Sequence, residues 1–192
     1  QRGLLVLAGS FALFVALGVL GSNPVEWLLI IVAVIVIHEA GHYIGMRLFG
    51  YRDVRMFFIP LFGAAVSGRS GNVAGWKRAV VALLGPMPGI FLGAACALLA
   101  VPEKPMLLHF AWAFLLLNGT NLLPIYPLDG GRLVQDVLFS RNRYMDAAFR
   151  VASGLLFAGL GLLLLPNRNG WILIVFAFFA VLFAMANVGL PG

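Results

Sequence analysis

Six apolar stretches, each close to the roughly 20 residues that an α-helix needs to cross a bilayer, take up most of the chain. They run over residues 3–21, 27–46, 79–101, 106–123, 147–165 and 170–190. A chain of 192 residues that is 62% hydrophobic and only 10% charged cannot cover a soluble surface, for which about 25% charged residues are usual. The expected fold is therefore an all-α polytopic membrane protein with six transmembrane helices. The first stretch is read as a retained helix, because the Gly21-Ser22-Asn23-Pro24 after it lacks an A-x-A cleavage pattern. Six alternating crossings place eleven of the thirteen Lys and Arg on one side, with only Lys104 and Arg168 on the other. By the positive-inside rule both termini are expected in the cytoplasm, in a chain embedded in the lipid bilayer of the cell membrane.

The connection between the second and third spans is the longest. Residues 51–66 mix Arg and Asp with Val, Met, Phe, Ile and Leu around Pro60, too broken for a helix and suited to a small β-hairpin-like segment at the interface. Residues 67–75 are rich in Gly and Ser and read as a flexible loop, after which Trp76-Lys77-Arg78 reads as an interfacial anchor. One cysteine, Cys96, excludes a disulfide framework and a thiolate zinc cluster. The charge of +6 is scattered among apolar spans and not drawn into a stripe, so no nucleic-acid partner is expected. No internal repeat is visible, and residues 1–192 are expected to form one domain.

The second span contains Ile37-His38-Glu39-Ala40-Gly41-His42, an H-E-x-x-H on a helix. Four-residue spacing turns His38 and His42 to one face, where both imidazoles can ligate one ion, and Glu39 stands beside the first of them, placed to take a proton from an attacking water. Ionisable groups at membrane depth cost at least about 2.5 kcal/mol each, so three within five residues point to function. A catalytic zinc needs a third protein ligand. Glu26 and Glu103 fall in external turns, while Asp53, Asp136 and Asp146 lie in charged, solvated segments. Asp129 differs: it ends Asn121-Leu122-Leu123-Pro124-Ile125-Tyr126-Pro127-Leu128-Asp129-Gly130-Gly131, a helix broken by two prolines at membrane depth. His109 sits towards the external side and is assigned to an interfacial or packing role.

An H-E-x-x-H in one span and N-x-x-P-x-x-P-x-D-G-G near the end of a later one resemble the site-2 protease family of intramembrane zinc metalloproteases. Leu84-Gly85-Pro86 resembles that family's A-G-P segment, and the order of spans agrees over most of the chain. Tyr126 departs from the family where many members have proline, as does Gly89 where an asparagine often follows the Gly-Pro. The resemblance implies one Zn²⁺ per chain held by His38, His42 and Asp129, and Glu39 as general acid and base. It further implies hydrogen bonding of substrate main chain by Asn121, and transmembrane proteins as substrates cut within or near the membrane. Relatives often carry PDZ or CBS regulatory domains; none lies inside this segment, though one could follow Gly192 in a longer chain.

The rival reading is an ion or metal transporter using the same His, Glu and Asp, but paired broken helices in repeated halves are not visible. A membrane zincin whose third ligand is a later glutamate would have only Glu103 to use, in an external turn. An idle scaffold would be expected to have lost Glu39 or a ligand.

Overall fold

The computed structural model describes residues 25–59, 63–69, 71, 73–103, 105–139 and 141–163. The spans expected at 3–21 and 170–190 lie outside the described residues. Two compact units are formed, Gln1–Asn121 and Leu122–Gly192.

In the first unit, α1 (Val25–Leu48) and the joined helices α2 (Gly75–Leu84) and α3 (Pro86–Leu99) are long and apolar enough to cross a membrane. The 17-residue apolar α4 (Pro105–Asn121) packs beside them. On α1 the buried residues Ile30, Val34, His38 and His42 recur every fourth position, so the two histidines continue the stripe that packs inward. Ile30 and Val34 meet Phe114 of α4 in the core, with Ile37, Phe110, Ala113 and Leu117 closing around them. Leu29, Ile31 and Ile44 are exposed, as faces towards lipid must be.

α1 stops in a Schellman turn. Gly50 adopts φ 81°, a left-handed conformation that glycine takes without strain, and the Tyr51 amide donates back to the Met46 carbonyl at 3.0 Å. The chain then enters an antiparallel hairpin of β1 (Arg52–Ile59) and β2 (Gly63–Arg69), paired from Arg52↔Arg69 to Ile59↔Gly63 with a bulge between Arg52 and Arg55. The hairpin expected over 51–66 is present and longer: Ser67, Gly68 and Arg69 belong to β2, not to the loop expected over 67–75. Pairing of Ser67 with Arg55 and of Arg69 with Arg52 extends the strand, and at Gly68 it lies close against Met46 and Val54, each about 3.3 Å from where a Cβ would stand.

α2 begins at Gly75, so Trp76, Lys77 and Arg78 form its first turn. Trp76 meets the Phe49 ring edge-on at 5.7 Å, and the Lys77 ammonium lies 5.7 Å from the Trp76 ring centroid, an arrangement suited to the water–lipid boundary. At the start of α1, Glu26 lies 3.5 Å from the His109 imidazole, which also packs on Trp27, as expected of a packing residue.

The second unit contains the irregular segment after α4, the short helix α5 (Asp129–Val134), a π-helical turn (Gln135–Phe139) and α6 (Arg143–Leu163), which is also long and apolar enough to span a membrane. Asp146, expected to be solvated, instead accepts a 3.0 Å bond from Arg150 one turn later, with both side chains largely buried at 16% and 11% exposure. Removing one partner of such a pair costs about 3 kcal/mol. Arg150→Ala is therefore expected to lower the thermal midpoint in detergent, with the Asp146→Ala/Arg150→Ala double variant recovering part of the loss.

Candidate metal centre

Each histidine of the motif is fixed through its Nδ1. His42 Nδ1 lies 2.9 Å from the Val81 carbonyl of α2, and a carbonyl only accepts, so this nitrogen carries the proton. His38 Nδ1 lies 2.8 Å from Oδ1 of Asn118 on α4. The Asn118 Nδ2 donates to the Phe114 carbonyl at 2.7 Å, which settles which amide atom faces the ring, so His38 is also protonated on Nδ1.

With both Nδ1 atoms donating, the two Nε2 atoms turn inward and stand 3.2 Å apart. Two lone pairs at that separation repel unless a proton or a cation joins them. Zinc–nitrogen bonds of about 2.05 Å at the tetrahedral angle set two nitrogen ligands about 3.3 Å apart, so the pair fits one zinc ion. Both rings are buried, at 4% and 7% exposure. Outer hydrogen bonds from Nδ1 to a carbonyl and an amide oxygen are the usual way ligating imidazoles are oriented. Glu39, the next residue along α1, is half-buried.

The Gly-Pro break between α2 and α3 makes room for this arrangement. A Cβ on Gly85 would overlap the His42 ring, and one on Gly89 would overlap the Asn118 amide. Gly41, inside the motif, lets the Leu84 carbonyl approach α1 more closely than any side chain would allow.

In the second unit Asp129 is the first residue of α5, buried at 6% exposure. The segment before it is folded by bonds from Ile125 N–H to the Leu123 carbonyl at 2.8 Å and from Leu128 N–H to the Ile125 carbonyl at 2.9 Å. Cβ atoms on Gly130 or Gly131 would overlap the Leu122 and Ile125 carbonyls, which explains the D-G-G. α6 braces the turn: the Tyr126 amide donates to Ser153 Oγ at 3.1 Å, and the Arg150 guanidinium lies 4.6 Å from the Tyr126 ring centroid. Tyr126, where the family pattern often has proline, is thus tied to α6 through its amide and its ring.

Asn121 is the last residue of α4, half-buried, one turn beyond Asn118. It is Asn118 that touches a motif histidine. Sequence reading passed over it, although an amide within Leu115-Leu116-Leu117-Asn118 is itself a signal of an interior partner.

No family model matches the chain. Among curated proteins it is 33% identical over 139 residues to stage IV sporulation protein FB of Bacillus subtilis, covering 71% of this chain and 48% of that protein. It is 34% identical over 143 residues to Rip3 of Mycobacterium tuberculosis, and 22% identical over 135 residues to a zinc metalloprotease of Methanocaldococcus jannaschii. A solved site-2 protease from Methanocaldococcus jannaschii superimposes with a TM-score of 0.62 at 18% identity, over 98% of this chain and 90% of that one. The chain has the site-2 protease fold and is related in sequence to these zinc metalloproteases. It is a membrane protein of that fold, and zinc is the metal of this family of metalloproteases. The chain spans half the length or less of the curated relatives it matches, 48% and 39% of the first two.

Proposed function

We propose that this chain is a zinc-dependent intramembrane endopeptidase, in which both units act as one metalloprotease domain and His38, His42 and Asp129 hold the metal. The observation that carries the reading is the pair of Nε2 atoms 3.2 Å apart, each ring locked by its Nδ1. Asp129, a buried carboxylate of the second unit, is the proposed third donor, which would leave one position for water or substrate. Zinc, when bound, supplies a Lewis acid that acidifies water and steadies charge on a carbonyl oxygen. Glu39 takes the proton from the attacking water and hands it to the leaving amine. Asn121 hydrogen-bonds the substrate main chain.

The substrate is a transmembrane segment of another protein. Its helix must be unwound before a carbonyl can be attacked, and unpaired amides inside a bilayer need partners. The hairpin of β1 and β2 follows directly from the end of α1, and a strand edge there can pair with the extended substrate. The active side faces the cytoplasm, in keeping with the eleven-to-two division of Lys and Arg. The membrane is the cell membrane, and a regulatory domain outside this segment remains part of the reading.

Incubating the purified chain with a labelled single-span membrane protein, with and without a zinc chelator, tests the activity; a cut that needs metal is expected, and metal flux without cleavage would favour a transporter. Ile59→Pro removes one strand donor without touching a proposed ligand. It is expected to lower cleavage of the transmembrane substrate with zinc content unchanged, and full cleavage would end the strand-pairing reading.

A further inference from the structure

Asn118 is completely buried, at 0% exposure, in a helix where Ala113, Phe114 and three leucines precede it. An amide in such a place carries a desolvation cost that only hydrogen bonds offset. Two are visible and they act in sequence. The Nδ2 donates to the Phe114 carbonyl of its own helix at 2.7 Å, which fixes the rotation of the amide and aims Oδ1 across the helix interface. Oδ1 then accepts from His38 Nδ1 at 2.8 Å. The surroundings are shaped to the same end, because Gly89 of α3 lies where any side chain would occupy the space of the amide.

We propose that Asn118 is a positioning residue for the metal: it selects the His38 tautomer with the proton on Nδ1 and holds the ring so that Nε2 meets that of His42, while Gly89 keeps its place open. This rests on His38 being a zinc ligand, and it assigns the role to a residue three positions before the Asn121 that the motif singles out. An amide serving only to join two helices would need no particular atom towards α1. An amide serving the ligand needs an acceptor there, and this difference can be measured.

The chain, purified in detergent, is titrated with zinc against a chromophoric chelator to obtain its dissociation constant, with helix content and gel-filtration profile recorded alongside. Asn118→Leu keeps the volume and removes the acceptor; its zinc affinity is expected to fall roughly 10- to 100-fold, the usual consequence of losing an outer-shell partner. Asn118→Asp keeps an acceptor oxygen in the same place and is expected to bind zinc within about threefold of the unsubstituted chain, on the pattern of carboxylate–histidine–zinc triads. Gly89→Ala, which alters no group that bonds zinc or His38, is expected to weaken zinc as Asn118→Leu does by displacing the amide. Combined with Asn118→Leu it should add little, since both substitutions break one contact.

A folded Asn118→Leu chain with unchanged zinc affinity overturns the proposal, as do equal losses in the Leu and Asp variants, which would mean that the acceptor oxygen is not what the site requires. Should Asn118→Leu fail to fold, Gly89→Ala decides, and full zinc affinity in that variant overturns the proposal. If the unsubstituted chain takes up no zinc, the reading of His38 as a ligand falls first and this assignment with it. If it binds zinc and Asn118→Leu binds it equally tightly, only the role of Asn118 is lost.

Discussion

Glu39→Gln is expected to leave zinc content close to one per chain and to lower cleavage of a transmembrane substrate by a factor of about 10² to 10⁴, the contribution of a positioned general acid–base group. The amide matches the carboxylate in shape but cannot accept the proton of an attacking water. Glu39 stands beside His38 on α1, so a change in backbone or packing would register first at the histidines. The discriminating pair of measurements is therefore turnover and bound zinc on the same preparation. Turnover lost with zinc retained supports the proton-transfer role. Substantial residual cleavage removes Glu39 from that role, and loss of zinc would make it a ligand.

The motif histidines were legible because ionisable groups four apart in an apolar run can serve little but a shared interior site, and the structure continues the Ile30–Val34 stripe through both. Their supports were not. His42 is fixed by a backbone carbonyl, at Val81, which no sequence pattern displays. Gly85 and Gly89 act by lacking side chains, so their role exists only once α3 is laid against His42 and Asn118. Asn118 carries no motif of its own, and the eye goes to Asn121 because the later residue begins N-x-x-P.

The hairpin was legible for a related reason: residues 51–66 are too apolar for a solvated loop and too charged for a span. Its length was underestimated because Ser67 and Gly68 have low intrinsic strand propensity, and pairing with β1 overrides that preference. Asp146 was misplaced because sequence order does not show that Arg150, one turn later on α6, is itself buried against Tyr126.

Asp129→Ala is expected to give the largest fall in zinc affinity among variants outside α1. The carboxylate is the proposed third donor, and its loss should exceed the roughly 10- to 100-fold typical of outer-shell changes. Its setting predicts that the effect is local. Asp129 is the first residue of α5, and the Arg132 amide closes the first turn onto the Leu128 carbonyl at 2.9 Å, a bond that the substitution does not touch. Ser153 still receives the Tyr126 amide, and the room beside Gly130 and Gly131 is unchanged. Alanine is also a good helix former, so α5 should persist. The apo chain is thus expected to keep its helix content and detergent stability while zinc and cleavage are lost together. Zinc content and turnover equal to those of the unsubstituted chain would remove Asp129 from the metal's ligands. Because the histidine pair alone holds only two nitrogens, that result would require a third donor other than Asp129.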